Sequence, residues 1–342
     1  MFQNKYLKQP RRLFNMLNCT ILDDYQKIAT TIGNWSSLVP HVKVQSFHNH
    51  FSNDDTLINA IIDQDILVVM RERTVFNASV LSQLPNLKLL ITSGMRNAAI
   101  DLDYANQNGI TVCGTSSLSE PAAELTWALI LSLARNVTQE NLALKTNGLW
   151  QSTVGTGLYG KQLGVLGLGK IGSHVAKIGQ AFGMNVVAWS QNLTKERAEA
   201  CGVALAPSKK ALLESSDFVT IHLLLSDRTQ NLIDASDIAN MRSSCYLINT
   251  SRAPIVNERD LIKALHDKRI AGAGLDVFDI EPLPIEHPFR SLSNVLATPH
   301  IGYVTHENYQ LYFKQAIENI VAYLKSEPMR ELTTARSPKL KA

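Results

Sequence analysis

Between residues 162 and 189 the chain reads as strand, glycine turn, helix and strand, the order of a βαβ unit. Gln162-Leu163-Gly164-Val165-Leu166 is a short apolar strand, and Gly167-Leu168-Gly169-Lys170-Ile171-Gly172 follows at once. Residues 173–182 have the spacing of an amphipathic helix closed by Gly183, and Asn185-Val186-Val187-Ala188-Trp189 is the next strand. A bare G-x-G-x-x-G is weak, because glycines cluster in many turns. Set inside a βαβ unit of about 30 residues, it specifies a dinucleotide-binding turn. Gly167 permits the tight turn, Gly169 lets the backbone approach a pyrophosphate, and Gly172 lets the helix pack close to the sheet. The helix N-terminus at Lys170 and Ile171 adds free N–H groups and a partial positive charge.

Three residues farther along follow short apolar runs that read as buried strands. Arg252 comes after Cys245-Tyr246-Leu247-Ile248-Asn249, Glu281 after Gly274-Leu275-Asp276-Val277-Phe278, and His300 after Asn294-Val295-Leu296-Ala297-Thr298-Pro299. In a doubly wound sheet, ligands sit beyond the carboxyl ends of parallel strands, so a fixed cation, a carboxylate and an imidazole are expected along one crevice. Arginine offers a planar fork of donors suited to a substrate carboxylate and its neighbouring carbonyl oxygen. Imidazole is the only one of the three side chains that ordinarily titrates near neutrality, which makes His300 the general acid–base. Glu281 is placed to hold that imidazole in one tautomer and to stabilise its charged form. Taken singly, each has an ordinary structural role open to it, as a cap, a loop residue or a packed ring. Three in succession beside a dinucleotide turn make a site.

The rest of the chain extends the same pattern. Candidate strands at 20–22, 42–47, 66–70, 87–92 and 110–113 alternate with helices at 54–62, 78–84 and 102–107, which implies a parallel sheet. Residues 119–144 read as one long helix with Pro121 in its first turn. Its middle, Trp127-Ala128-Leu129-Ile130-Leu131-Ser132-Leu133-Ala134, is apolar nearly all round and must be buried on more than one side. Further strands at 218–224, 245–248, 271–277 and 295–298 precede a last helix at 307–325. The expected architecture is one α/β domain interrupted by a second, with a cleft that closes over the substrate.

At 342 residues there is room for two domains. The formal charge is only +3, with Lys and Arg scattered, which argues against nucleic acid or an anionic membrane as partner. No apolar run approaches the ~20 residues needed to span a bilayer. The four cysteines, Cys19, Cys113, Cys201 and Cys245, form no C-x-x-C pair and fit a reducing cytoplasm. His48 and His50 are two apart without further ligands nearby, so an exposed loop is preferred to a metal site, and no metal is expected. Residues 1–15 carry Lys5, Lys8, Arg11 and Arg12 and no acidic residue. They read as an amphipathic transit peptide or, more simply, as a flexible basic extension over 1–16. Met16, directly before the first strand, is an expected translation start.

Taken together, the sequence resembles the D-isomer-specific 2-hydroxyacid dehydrogenases from about Leu17 onward. Four stretches carry the resemblance: Gly160-Lys161-Gln162-Leu163-Gly164 leading into the glycine turn, Asn249-Thr250-Ser251-Arg252-Ala253-Pro254-Ile255-Val256, Gly274-Leu275-Asp276-Val277-Phe278-Asp279-Ile280-Glu281-Pro282-Leu283, and Thr298-Pro299-His300-Ile301-Gly302. The resemblance implies an α/β chain of two Rossmann-like parallel-sheet domains. An NAD(P)-binding domain, here 118–299, is inserted into a flavodoxin-like substrate-binding domain, here 17–117 and 300–335, in a homodimer. It implies catalytic roles for Arg252, Glu281 and His300, and a contact from Asp276 to the nicotinamide carboxamide. It implies backbone binding of the substrate carboxylate at Ser93-Gly94-Met95-Arg96-Asn97. Arg96 stands there in place of a family glycine, and either binds a second acidic group or points to solvent. Arg71 and Arg73 face the same choice. Ala253 replaces the glycine usual after the catalytic arginine, which is acceptable if φ there is negative.

NAD-specific sites place Asp or Glu at the end of the second strand to bind the ribose hydroxyls. Here that position reads Trp189-Ser190-Gln191-Asn192, without a carboxylate. Ser190 tolerates a 2′-phosphate, and Asn192, Thr194, Lys195 or Arg197 are placed to contact one, so NADP is slightly favoured over NAD. The expected substrates are small 2-hydroxy or 2-oxo acids such as glyoxylate, hydroxypyruvate or phosphoglycerate. The chain stops soon after its last helix, without the regulatory extension of many phosphoglycerate dehydrogenases, which reads against serine biosynthesis. Formate-oxidising relatives carry Gln at the position of Glu281. The alternative is a dinucleotide-sensing binding protein, corepressor-like, without physiological turnover.

Overall fold

The computed structural model describes residues 16–333, so the expectations for residues 1–15 lie outside the described residues. The chain divides into two compact units. One comprises the residues up to Ser117 together with those from His306 on, and the other is Leu118–Thr305.

The first unit holds five parallel strands: β1 (Leu17–Ile21), β2 (Val42–Ser46), β3 (Ile66–Val69), β4 (Leu89–Thr92) and β5 (Thr111–Gly114), in the order β2-β1-β3-β4-β5. This is a flavodoxin-like order. Every residue of β3 and β4 is buried, as expected of parallel strands covered on both faces. The helices are started by side-chain caps: Asn53 accepts from Thr56 N, Asn77 from Val80 N and Asp101 from Tyr104 N. His48 and His50 are tied to carboxylate-bearing residues. His48 Nδ1 lies 3.3 Å from the carbonyl of Asp24, and His50 Nδ1 lies 3.3 Å from the buried Asp23 carboxylate.

The second unit holds seven parallel strands: β6 (Gln162–Leu166), β7 (Asn185–Trp189), β8 (Ala204–Leu205), β9 (Phe218–Ile221), β10 (Tyr246–Asn249), β11 (Gly272–Leu275) and β12 (Val295–Ala297). Their order is β12-β11-β10-β9-β6-β7-β8. The strand order reverses between β6 and β9, which is the switch point of a doubly wound sheet. The helix Lys170–Ala181 packs Gly172, Val175, Ala176 and Gly179 inward, the three-four spacing of one helical face. Gly179 is small by necessity, since a Cβ there would meet Leu163 at 2.8 Å.

The single helix expected over 119–144 is two helices, Glu120–Arg135 and Val137–Lys145. Asn136 breaks it by adopting the left-handed region at φ 51°, a conformation asparagine tolerates better than most residues. Its N–H caps the first helix through the carbonyls of Ser132 and Leu133. The apolar middle of the first helix is largely buried, with Trp127, Leu129, Ile130 and Ala134 inward. The second helix buries no residue at all.

Candidate active site

Three expected functional side chains leave the carboxyl ends of three adjacent strands. Asn249 of β10 pairs with Leu275 of β11, and Leu275 pairs with Ala297 of β12. The chain beyond each of these residues therefore emerges from one edge of the sheet. Arg252, Glu281 and His300 all lie in these exits.

Glu281 and His300 are in direct contact. Glu281 Oε2 lies 2.6 Å from His300 Nδ1, and Glu281 Oε1 accepts from Phe278 N at 3.0 Å. The carboxylate is thus fixed at one oxygen by its own loop and presents the other to the ring. With Nδ1 committed to Glu281, Nε2 is the nitrogen left to face a substrate. Tyr303 closes the other side, edge-on to the imidazole with ring centroids 5.7 Å apart.

His300 is held in the left-handed region, at φ 53°. For a residue other than glycine such a conformation costs about 1–3 kcal/mol and persists only where neighbours over-determine it. Asp276 does that here. It is buried, and its Oδ1 accepts from Thr298 Oγ1 at 2.7 Å and from Ile301 N at 2.8 Å, while Oδ2 accepts from Gly302 N at 2.8 Å. One carboxylate therefore clamps the chain on both sides of His300, through the Thr298 side chain before it and the Ile301 and Gly302 backbone after it. Burial pushes the Asp276 carboxyl above its usual range, against the pull of these hydrogen bonds and of the nearby imidazole. Sequence reading gave Asp276 a cofactor contact only, because a hydrogen-bonded loop carries no spacing signature.

Arg252 begins the short 3-10 helix Ala253–Ile255, and its Nη1 donates to the carbonyl of Ser251 at 2.7 Å. Ala253 is outside the positive-φ residues, so the missing glycine is no obstacle. Buried Asn249 shapes the turn: its Nδ2 donates to the carbonyl of Arg252 at 3.0 Å and its Oδ1 accepts from Ser251 N at 3.0 Å. Ser251 Oγ reaches across to the carbonyl of Ile221 at the end of β9, 2.7 Å away.

The glycine turn lies at the switch point. Gly167 has φ +97°, and a Cβ on Gly172 would stand 2.0 Å from the carbonyl oxygen of Gly167. Nothing lies within 4 Å of where a Cβ on Gly169 would stand. Gly169 also begins the helix without offering any side-chain cap, so the first-turn N–H groups at Lys170 and Ile171 point outward unserved by the N-cap. A cradle of that form, closed behind and open in front, fits a pyrophosphate. Ser190 follows β7 directly and is half-buried, while Asn192 is exposed beyond it. Arg197 reaches back from the helix Lys195–Ala200, with its Nη2 3.5 Å from the carbonyl of Leu168 and 3.4 Å from Ser173 Oγ.

His222, which the sequence did not single out, walls this turn. Its carbonyl would lie 2.6 Å from a Cβ on Gly167, and its own Cβ 3.3 Å from one on Gly172. Thr220 Oγ1 pairs with its Nε2 at 2.9 Å, and burial pushes the imidazole down to about 3. A histidine at a strand end was the available signal, but it stood without a neighbouring motif.

In the first unit, Gly94, Met95 and Arg96 form the loop after β4, with Gly94 buried at φ +90° and Met95 and Arg96 exposed. Gly94 N donates to Thr115 Oγ1 at 3.0 Å, and Thr115 N returns to the carbonyl of Gly94 at 3.2 Å.

Comparison with known proteins bears on these sites. A family model described as D-isomer specific 2-hydroxyacid dehydrogenase, NAD binding domain, matches residues 127–302. Glyoxylate reductase of Aeropyrum pernix is 35% identical over 298 residues, covering 83% of this chain and 88% of that protein. D-3-phosphoglycerate dehydrogenase of Methanocaldococcus jannaschii is 37% identical over 276 residues, covering 80% of this chain but 52% of that protein. The crystal structure of phosphoglycerate oxidoreductase from Vibrio cholerae is similar with a TM-score of 0.87 at 33% identity, covering 91% of this chain and 100% of that one.

Proposed function

The chain belongs to the D-isomer specific 2-hydroxyacid dehydrogenases, and from that premise we propose that it interconverts a small 2-oxo acid and its D-2-hydroxy acid with an NAD(P) coenzyme, His300 serving as acid–base. The observation that carries the proposal is the Glu281–His300 pair at 2.6 Å, on strand exits of the unit that bears the glycine turn.

In the direction of reduction, protonated His300 donates from Nε2 to the carbonyl oxygen as it becomes an alkoxide. Glu281 holds Nδ1–H throughout and stabilises the imidazolium. In oxidation, neutral His300 takes the hydroxyl proton at Nε2. Arg252 binds the substrate carboxylate and polarises the adjacent oxygen. Gly167, Gly169, Lys170, Ile171 and Gly172 hold the pyrophosphate, Ser190 and Asn192 the adenosine ribose, and Asp276 orients the nicotinamide end besides clamping the His300 loop. The nicotinamide, when bound, supplies the hydride chemistry.

NADP is favoured over NAD. No carboxylate stands at Ser190-Gln191-Asn192, and the Arg197 guanidinium lies against the glycine turn at Leu168. The assembly is a homodimer. Helix Val137–Lys145 buries nothing, and Leu142, Leu144, Leu149, Trp150, Val154 and Tyr159 are all exposed. Large apolar side chains exposed in one stretch of chain fit a protein contact. The compartment is a reducing cytoplasm, in keeping with four free cysteines, three of them buried.

The test is a set of initial rates on glyoxylate, hydroxypyruvate and pyruvate with NADH and with NADPH. Turnover, with the higher kcat/KM for NADPH, is expected. An NADH preference overturns only the coenzyme assignment. Tight dinucleotide binding with no turnover on any 2-oxo acid favours a binding protein instead.

A further inference from the structure

Resting on that reading, we propose that Glu258 and His287 are positioning residues of the same reaction: together they close the loop that carries Glu281 and so hold its carboxylate against His300. Glu258 lies in the first turn of the helix Glu258–His266, which begins just after the Arg252 turn. The helix dipole alone favours an acidic residue there. The N-cap of that helix, however, is Asn257, whose side chain accepts from Asp260 N, and Glu258 turns both oxygens to the loop beyond β11. Its Oε2 accepts from Asp279 N over a long 3.5 Å, and its Oε1 lies 3.1 Å from His287 Nε2. Residues 279 and 287 are the two feet of the excursion on which Glu281 stands. One carboxylate thus ties both feet to a helix outside the loop.

The contacts around the pair give it direction. His287 Nδ1 accepts from Phe289 N at 3.2 Å, and a backbone N–H can only donate, so the ring proton is on Nε2 and goes to Glu258. The His287 and Glu258 side chains are 14% and 22% exposed, so the bond between them is sheltered from water and stronger than an open surface pair. The buried Phe289 ring packs on both feet, its centroid 4.9 Å from that of His287 and 6.3 Å from that of Phe278. Arg290 braces the stretch between them, Nε donating to the carbonyl of Pro284 at 2.8 Å and Nη2 to that of Leu283 at 2.6 Å. At the first foot, two carboxylates take adjacent backbone donors: Glu281 Oε1 takes Phe278 N and Glu258 Oε2 takes Asp279 N. Release of Glu258 therefore frees the segment against which Glu281 is set, and the 2.6 Å contact with His300 depends on that setting.

The experiment measures kcat, KM and the pH profile of 2-oxo acid reduction in Glu258→Ala, Glu258→Gln, His287→Ala and the double alanine variant. Coenzyme affinity, read by fluorescence, reports that each variant is folded. Each single alanine variant is expected to lose about 10- to 100-fold in kcat with KM nearly unchanged. Reduction needs the protonated imidazole, and a loosened Glu281 supports that form less, so the alkaline limb of the profile should move to lower pH. The double variant should be no slower than either single one, since both break the same bond. Glu258→Gln keeps an acceptor for Nε2–H and should recover most of the rate. Wild-type kcat and pH profile in Glu258→Ala, whether or not its melting temperature falls, or losses that add in the double variant, would overturn the inference. NMR of protein with isotope-labelled histidine gives a readout independent of turnover: the His300 Nδ1–H resonance is expected to weaken in Glu258→Ala, and its persistence unchanged would overturn the inference. Absence of wild-type turnover on every 2-oxo acid removes the dehydrogenase reading alone, and that resonance then decides whether Glu258 holds the loop.

Discussion

Glu281 and His300 meet at 2.6 Å although they leave different strands, and each is held from behind, Glu281 by Phe278 N and the His300 loop by Asp276. A hydrogen-bonded pair fixed from both sides orients the imidazole before substrate arrives. Glu281→Gln keeps an acceptor of similar shape but withdraws the negative charge. The variant is expected to bind coenzyme normally and to lose about 10- to 100-fold in kcat for reduction, since the charged imidazole loses a charge-assisted partner. Steady-state kinetics at fixed pH checks this. A rate equal to the wild type would mean the carboxylate is spectator.

Asp276 is expected to act through position. Asp276→Ala removes the acceptor for Thr298 Oγ1, Ile301 N and Gly302 N together. Each buried donor left unpaired costs about 1–3 kcal/mol. Thermal unfolding should therefore drop, and kcat should fall with it because the His300 turn is released. Asp276→Asn, which keeps an acceptor oxygen, should recover part of both. Unaltered stability in the alanine variant would contradict the clamp.

The glycine turn distinguishes packing from binding. Gly172→Ala forces a methyl to 2.0 Å from a carbonyl oxygen, and should destabilise the protein by about 1–3 kcal/mol or more. Gly169→Ala meets no protein atom within 4 Å, so its cost is that of a poorer N-cap, about 1 kcal/mol. Its methyl would instead stand where the pyrophosphate approaches, and dinucleotide affinity should suffer most. Calorimetric melting and coenzyme titration of the pair check the contrast. Equal affinity in Gly169→Ala and wild type would remove the turn from coenzyme binding.

His222 sets a pH dependence of stability. Burial lowers its pKa from 6.5 to about 3, so the unfolded chain takes up the proton first as the solution is acidified. The contribution is complete above the unfolded pKa and is lost as pH falls below it, by up to about 1.4 kcal/mol per pH unit. His222→Gln, which cannot titrate, should flatten the melting temperature against pH across that window. Parallel curves for variant and wild type would show that the imidazole is solvated.

The helix Val137–Lys145 and the apolar residues after it should vanish into a dimer contact. Trp150→Glu, at a side chain 78% exposed, is expected to shift the protein toward monomer in light scattering after gel filtration. A monomeric wild type would remove the homodimer.

Much of the fold was legible because parallel strands buried on both faces are continuous apolar runs. Sequence expectation and structure agree on β3 and β4 to within two residues at an end. The break at Asn136 was not legible, because a left-handed asparagine leaves the apolar spacing on either side intact. In the candidate site, Arg252, Glu281 and His300 are readable as polar residues ending apolar runs, and the structure joins Glu281 to His300. The parts that hold them were not: Asn249 and Thr298 act through contacts with backbone or with residues distant in sequence, and the Asp276 clamp spans 26 residues to Gly302. Long-range hydrogen bonds have no period to read.

The most direct measurement is the rate of 2-oxo acid reduction by His300→Ala, with coenzyme affinity determined on the same preparation. Loss of general acid catalysis should lower kcat by about 100- to 10,000-fold while the dinucleotide binds as in the wild type. Undiminished turnover by the alanine variant would contradict the assignment of His300 as the proton donor.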